Sequence, residues 1–228
     1  MSEPRILIVL TSHAQLGDTG HPTGFWLEEL ASPYYAFVDA GAAVTLASIK
    51  GGEPPLDPKS YQDDAQTDTT RRFWADTEAK AALANTMPVS EAKTDDYDAI
   101  FLPGGHGTMW DFPVSTALTK LIEAFDQEEK IIAAVCHAPA ALVSVKTVAG
   151  EPLVKGKVVT AFTDSEERAV ELDAVVPFLL ETRLRELGAK FESGADWAPI
   201  TQQDGHLITG QNPASSEPAA KAVLAALR

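Results

Sequence analysis

The chain of 228 residues has little sulfur, little positive charge and no long apolar run. Its one cysteine cannot form a disulfide within the chain, so we expect a reducing, cytoplasmic setting. Lys and Arg number 18 against 33 Asp and Glu, and the net charge of −15 disfavours nucleic acid and anionic membranes as partners. No segment approaches the roughly 20 apolar residues of a membrane-spanning helix. The N-terminus also lacks the basic start and apolar length of a signal peptide.

Short apolar runs alternate with helical patterns along the whole length. Strands are predicted at 5–10, 43–48, 98–102, 131–135, 157–160 and 206–209. Helices are predicted at 25–40 (broken or kinked by Pro33), at 71–84 behind a Thr70 cap, and at 113–127, 174–187 and 215–227. This alternation indicates a single α/β domain over 1–228 with a mostly parallel sheet between helical layers. Ligands of such sheets bind beyond the carboxyl ends of the strands.

The single cysteine, Cys136, stands at one such strand end. It follows the apolar run 131–135 and precedes His137 and small residues that can open a helix, which predicts a strand, a sharp nucleophile elbow and a helix. A helix N-terminus favours the reactive thiolate. His137 can serve as an acid or base near neutral pH, or supply only its backbone N–H, because neighbours on a sharp turn often point apart. The alternative is a buried cysteine that acts as a small apolar residue.

A second strand end carries the glycine-rich run 103–108, Pro-Gly-Gly-His-Gly-Thr. Glycines there allow backbone N–H groups to approach a ligand, as in an oxyanion hole, and a tight turn is the alternative. No Gly-Lys-Ser/Thr follows, so the run is not a phosphate loop. His106 is a candidate pocket residue, and Trp26 and Trp110 are candidates either for a pocket wall or for the core. No spacing of His, Cys and acidic residues indicates a structural zinc site.

Two motifs together carry a family resemblance. The run 134–140, Ala-Val-Cys-His-Ala-Pro-Ala, and the upstream run 102–111 resemble the PfpI-like branch of the class I glutamine-amidotransferase-like superfamily. Within that branch the chain is most similar to the group of glutathione-independent glyoxalases III and heat-shock chaperones. Further matching stretches lie at 23–29, 95–98, 160–167 and 207–215. The resemblance implies a flavodoxin-like three-layer sandwich and a homodimer.

The resemblance also implies a role for particular residues. Cys136 takes the place of the nucleophile and His137 that of the adjacent histidine. An acidic residue on the first helix contacts the thiol, and counting along the motif gives Glu29, with Glu28 as the neighbour to exclude. One departure is Ala138, which stands where many relatives carry glycine.

Three further site positions follow from the same resemblance. An acid after the Phe-Thr-Asp run orients the histidine, and the position matches Glu167, with Glu166 as the alternative. The oxyanion donors match the backbone N–H groups of Gly105 and His137.

The implied activity is that of glyoxalase III, a D-lactate dehydratase type of lyase that converts methylglyoxal to lactate. The cysteine thiol takes the part of glutathione, so no cofactor or metal is expected, and the partner is a small reactive aldehyde. A holding chaperone with unfolded clients, or a deglycase-like stress protein, is the main alternative. A redox-sensing cysteine is another. A Cys hydrolase or amidotransferase is disfavoured, because the histidine is adjacent and no His-x-Glu occurs.

Overall fold

A computed structural model describes residues 3–228. These residues contain nine strands: β1 (Arg5–Leu10), β2 (Ala43–Ser48), β3 (Met87–Pro88), β4 (Ala99–Leu102), β5 (Ile131–Val135), β6 (Val158–Val159), β7 (Lys190–Phe191), β8 (Thr201–Asp204) and β9 (Leu207–Gly210). The same part of the chain contains eight α-helices: α1 (Leu27–Asp39), α2 (Asp68–Ala75), α3 (Thr77–Ala84), α4 (Thr108–Asp111), α5 (Thr116–Gln127), α6 (Asp164–Ala169), α7 (Leu180–Glu186) and α8 (Ser216–Ala226).

Seven of the strands described here form one sheet in the order β3-β2-β1-β4-β5-β9-β8. All neighbouring pairs are parallel except β8 and β9, which form an antiparallel hairpin. β6 and β7 pair separately as a two-stranded parallel sheet. The carboxyl ends of β1, β4 and β5 therefore meet at one edge, as expected for a flavodoxin-like α/β fold. This fold class confirms the sequence prediction.

The core lies in two layers, one on each face of the sheet. In β1, Ile6, Ile8 and Leu10 pack towards α1 and α8, whereas Leu7 and Val9 pack towards α5. The central strands β4 and β5 divide their residues in the same alternating way, because successive side chains of a strand point to opposite faces. Burial on both faces explains why these strands read as continuous apolar runs.

Most predicted elements are confirmed, with shifted ends. The predictions for β1, β2 and β5 match the observed bounds, while β6 is shorter than predicted and lies outside the main sheet. The predicted break of α1 at Pro33 is wrong. The helix continues through Pro33, and its buried face packs against the sheet, so tertiary packing outweighs the lost hydrogen bond.

Two helix starts differ from the sequence prediction for local reasons. Thr67, not Thr70, caps α2: its hydroxyl accepts from the Thr70 N–H (3.1 Å), and the Thr70 hydroxyl accepts from the Thr67 N–H (2.8 Å). The helix predicted over 71–84 is divided at Asp76, whose side chain caps α3. The helix predicted from 174 begins only at Leu180, because Pro177 disfavours helical geometry before it.

Within residues 3–228, none of the helices is both long enough and apolar enough to cross a membrane.

Candidate active site

Cys136 ends β5 in a strained turn. Its φ of 59° lies in the left-handed region, which costs an L-residue about 1–2 kcal/mol. Two backbone hydrogen bonds hold the turn in place: the Cys136 N–H donates to the Gly210 carbonyl (2.9 Å), and the Phe162 N–H donates to the Cys136 carbonyl (2.8 Å). The next residues, Ala138–Ser144, form a 3₁₀-helix. The elbow predicted from the sequence is present, and it aims the thiol at the glycine-rich loop after β4.

The His137 ring lies between the thiol and a carboxylate. Its Nδ1 is 3.3 Å from the Cys136 sulfur, and its Nε2 is 2.7 Å from Glu167 Oε2. The rings of His106 and Phe162 pack on the His137 ring, with centroids 4.0 and 4.2 Å away. The His137 ring therefore faces the thiol; the sequence had also left open that His137 contributes chiefly its backbone N–H, or reaches the substrate rather than the thiol.

The hydrogen-bond network assigns the tautomer of His137. Although burial raises the pKa of Glu167, the His137 and His106 rings beside it hold that pKa well below the ordinary value, so this carboxyl is ionised. A carboxylate only accepts, so the His137 Nε2 carries a hydrogen. Burial lowers the pKa of His137, so the ring is neutral. Its Nδ1 then carries no hydrogen and presents a lone pair to the thiol. The distances are those expected of a nucleophile, a base and an orienting acid.

Glu29 approaches the same sulfur from α1. Its side chain is fully buried beside Cys136, and its Oε2 accepts from the Gly104 N–H (2.6 Å). Burial raises the pKa of Glu29 to about 8, so the carboxyl holds a proton at neutral pH. Because Oε2 accepts a hydrogen bond, the proton belongs on Oε1, which has no hydrogen-bond partner among residues 3–228. Glu29 is thus an acid with a transferable proton.

The thiol itself is not pre-ionised by a helix. Burial raises the pKa of Cys136 well above its ordinary value, and the neighbouring Glu29 carboxyl raises it further. The element after Cys136 is a 3₁₀-helix, and the burial of Cys136, which is only 3% exposed, acts on the thiol pKa in the opposite direction from the helix N-terminus that the sequence predicted. The thiol needs a base, and the Nδ1 of His137 is in position to act as one.

The glycine-rich loop brings backbone donors to the thiol. Burial raises the pKa of Cys136, and the nearby Gly105 N–H acts in the opposite direction; Gly105 has a φ of 105° that favours glycine. A Cβ at Gly104 would lie 2.8 Å from His137 N and 2.7 Å from Glu29 Oε2. Glycine at both positions therefore keeps the space around the two predicted oxyanion donors, Gly105 and His137, open.

The sequence left two choices between adjacent acids, Glu28 or Glu29 and Glu166 or Glu167. In the structure the two members of each pair face different ways. Glu28 turns away from the thiol and accepts from the hydroxyls of Thr67 and Thr69 at the start of α2 (2.5 and 2.7 Å). Glu166 also faces away from His137. It completes the capping box of α6 and accepts from the backbone N–H groups of Thr163 and Trp197 and from the side-chain amides of Gln211 and Asn212.

The predicted pocket residues have different positions. Trp26 and His106 line a cavity beside the site. Trp110 is not among the residues that line it; its ring stacks on His13 with centroids 5.2 Å apart, and it packs against the core. The contact of His106 with Glu167, whose Oε1 lies 2.7 Å from the His106 Nε2, was not predicted. A histidine inside a glycine loop at a strand end was the available signal.

One group within the described residues has side chains that could hold a metal ion. The ligand atoms of His106, His137 and Glu167 all lie within 4.8 Å of one another. Both carboxylate oxygens already accept from the two imidazoles, so the group is satisfied without an ion. Its hydrogen bonds serve to orient the base beside Cys136.

Comparison with known proteins gives the family. The DJ-1/PfpI family profile matches residues 22–226. Glyoxalase 3 of Candida albicans is 29% identical over 97% of this chain and 98% of its own length. A glutathione-independent glyoxalase of Saccharomyces cerevisiae is 30% identical over the whole of both chains.

Solved structures agree with these sequence matches. The crystal structure of glyoxalase III from Candida albicans superposes with a TM-score of 0.90 at 29% identity, covering 99% of this chain and 98% of that one. The 24 kDa Rapid Encystment Protein of Francisella tularensis superposes with a TM-score of 0.94 at 39% identity, covering 99% of both chains. The glyoxalase names of the relatives do not favour the chaperone alternative. The chain belongs to the DJ-1/PfpI family.

Proposed function

We propose that this chain is a glutathione-independent glyoxalase that converts methylglyoxal and water to lactate, with Cys136 as the nucleophile. The observation that carries the proposal is the position of one buried thiol between a neutral imidazole on an ionised acid and a second acid that keeps its proton. Relatives at about 30% identity that carry the glyoxalase name support the same activity. A homodimer and unfolded protein clients stay predictions of the sequence.

In the first step the thiol adds to the aldehyde. The Nδ1 of His137 takes the thiol proton while sulfur forms a bond to the aldehyde carbon. The electron pair of the C=O bond moves to oxygen, which accepts the Glu29 proton and is stabilised by the N–H groups of Gly105 and His137. The product is a hemithioacetal on Cys136, and Glu29 is left as a carboxylate.

The second step moves a hydrogen between the two carbons. The Glu29 carboxylate removes the proton from the former aldehyde carbon while the ketone oxygen takes the proton that His137 carries, which gives an enediol. Glu29 then returns its proton to the former ketone carbon, and the hydroxyl on the sulfur-bearing carbon gives its proton back to His137. The aldehyde carbon is oxidised by as much as the ketone carbon is reduced, so no external electron acceptor is consumed. The result is a lactoyl thioester on Cys136.

In the last step water attacks the thioester. The Glu29 carboxylate removes a proton from the water, and His137, oriented by Glu167, returns the proton it carries to the leaving sulfur, which releases lactic acid and the free thiol. The resting site is restored, with Glu29 protonated and the thiol neutral. Each step uses a proton position already present in the site.

The test is consumption of methylglyoxal in the absence of glutathione, with lactate measured as the product. Wild type and Glu28→Gln are expected to be active, whereas Cys136→Ala and Glu29→Gln lose at least about 10²-fold in kcat. The pair at 28 and 29 is a matched control, because the same chemical change is made at adjacent residues that face different ways. Full turnover by Cys136→Ala, or equal losses in the two Gln variants, would overturn the mechanism.

A further inference from the structure

A cavity of about 390 Å³ lies beside the proposed catalytic group. Apolar side chains from three parts of the chain contribute to its wall: Leu16 and Pro22 from the loop after β1, Trp26 before α1, and Val170 and Leu172 after α6. Its polar residues are Thr19, His21, Asp57 and Lys59 besides His106; His21 and Lys59 are exposed, whereas Asp57 is buried and accepts from the Thr23 hydroxyl. The cavity is therefore mainly an apolar space with a polar border.

The cavity is joined to the reacting atoms through two residues. His106 lines it and lies next to Gly105, the oxyanion donor, while its ring contacts that of His137. Trp26 lines it as well, and its backbone nitrogen would lie 2.6 Å from a Cβ placed on Gly105. A substituent on a carbonyl carbon bound at Gly105 has this apolar space as its neighbour.

Methylglyoxal is too small to use that space. Its five non-hydrogen atoms take at most about 150 Å³, if each takes the roughly 30 Å³ that a water molecule occupies in the liquid. More than half of the cavity would stay unfilled beside a methyl group. Sites of a few hundred Å³ with apolar walls and few polar groups generally hold larger organic ligands.

We propose that the preferred substrates are 2-oxoaldehydes R–CO–CHO in which R is an apolar group larger than methyl, such as a linear alkyl chain or a phenyl ring. This inference rests on the proposed glyoxalase function. R takes no part in the chemistry: the substrate gains one water and becomes R–CH(OH)–COOH by the same thiol addition, proton shift and thioester hydrolysis. The apolar wall of Leu16, Trp26, Val170 and Leu172 selects R by removing it from water.

The test measures kcat/KM for methylglyoxal, ethylglyoxal, pentylglyoxal and phenylglyoxal without glutathione, with the 2-hydroxy acid as the measured product. For wild type, kcat/KM is expected to rise about fourfold with each CH₂ first added to the methyl group of methylglyoxal, because burial of one CH₂ corresponds to a ratio of this size. A flat or falling series with methylglyoxal still consumed overturns this inference and leaves the proposed function intact. No consumption of any of the four compounds overturns the proposed function itself.

Variants of the cavity wall provide a second test of the substrate preference. Val170→Trp fills the cavity and is expected to lower the pentyl-to-methyl ratio of kcat/KM by about tenfold or more. Val148→Trp, at a position 82% exposed, makes the same change outside the cavity and keeps the wild-type ratio. If Val170→Trp does not fold, Leu172→Asp places a charge in the same space and must lower the ratio likewise. An unchanged ratio in the folded cavity variant overturns the assignment.

Discussion

Replacement of Glu29 by glutamine tests the protonation state at the centre of the site. Glutamine has nearly the shape of a protonated glutamic acid and cannot ionise. Its carbonyl oxygen can still accept from the Gly104 N–H, as Glu29 Oε2 does. The variant therefore removes the titration of this buried group while it keeps most of the packing around it.

The size of the effect follows from the raised pKa. The folded protein holds the Glu29 proton up to about pH 8, whereas the unfolded chain releases it near 4.5. Between these values folding takes up a proton, so the free energy of unfolding falls as the pH rises, by about 1.4 kcal/mol per pH unit. Wild type thus loses about 3 kcal/mol from this group between pH 5 and pH 7, and Glu29→Gln does not.

The assay is urea unfolding at pH 5, 6 and 7, followed by the fluorescence of the four tryptophans. The stability of Glu29→Gln minus that of wild type is expected to rise by about 3 kcal/mol over this range. Titrations shared by the two proteins cancel in the difference. Glu28→Gln is the matched control. If it changes the pH dependence of the free energy of unfolding as much as Glu29→Gln does, the change cannot be assigned to the buried carboxyl of Glu29. Parallel curves for Glu29→Gln and wild type would refute a raised pKa at Glu29.

Three further outcomes are expected. The kcat/KM of the wild-type enzyme falls as the pH rises through about 8, because the Glu29 proton is lost there; a rate that stays level to pH 10 speaks against the acid role. Glu167→Gln lowers kcat/KM for methylglyoxal by about 10²-fold at pH 7, because His137 loses its anionic partner; a change below threefold contradicts the orienting role. Gly104→Ala lowers the free energy of unfolding, measured by urea titration, by more than about 2 kcal/mol, because the added methyl group would lie 2.6 Å from the Val135 carbonyl oxygen. The control Gly20→Ala has open space around the methyl group and loses only the roughly 1 kcal/mol cost of its positive φ, so equal losses in the two variants would contradict the steric argument.

The nucleophile elbow was predictable because its signals are local. An apolar run, a lone Cys-His pair and small residues indicate a strand end and a turn, and β5 and the turn at Cys136 lie where they were predicted. The choice between Glu166 and Glu167 also has a local signal. Thr163 and Glu166 have the spacing of a capping box, which assigns Glu166 to the start of α6 and leaves Glu167 for the histidine.

The protonation states were not predictable from local patterns, because they depend on contacts between distant segments. Glu29 is buried beneath the loop at Gly104, 75 residues along the chain. His106 and Glu167 are 61 residues apart, and the second histidine on this carboxylate has no spacing signal. Burial at the junction of these segments raises the pKa of the thiol, whereas a helix N-terminus inferred from the sequence would lower it.

The two acids around Cys136 have opposite proton affinities, and the site requires both. No cation among residues 3–228 acts on the pKa of Glu29, so burial keeps its proton, whereas Glu167 accepts from two imidazoles and stays ionised. If both were ionised, the thiolate formed during addition would face a negative charge at Glu29 and the aldehyde oxygen would lack a proton donor. If both were protonated, His137 would lose the acceptor that fixes its tautomer. Two carboxyl groups of similar chemistry thus become an acid and an orienting anion through their neighbours alone.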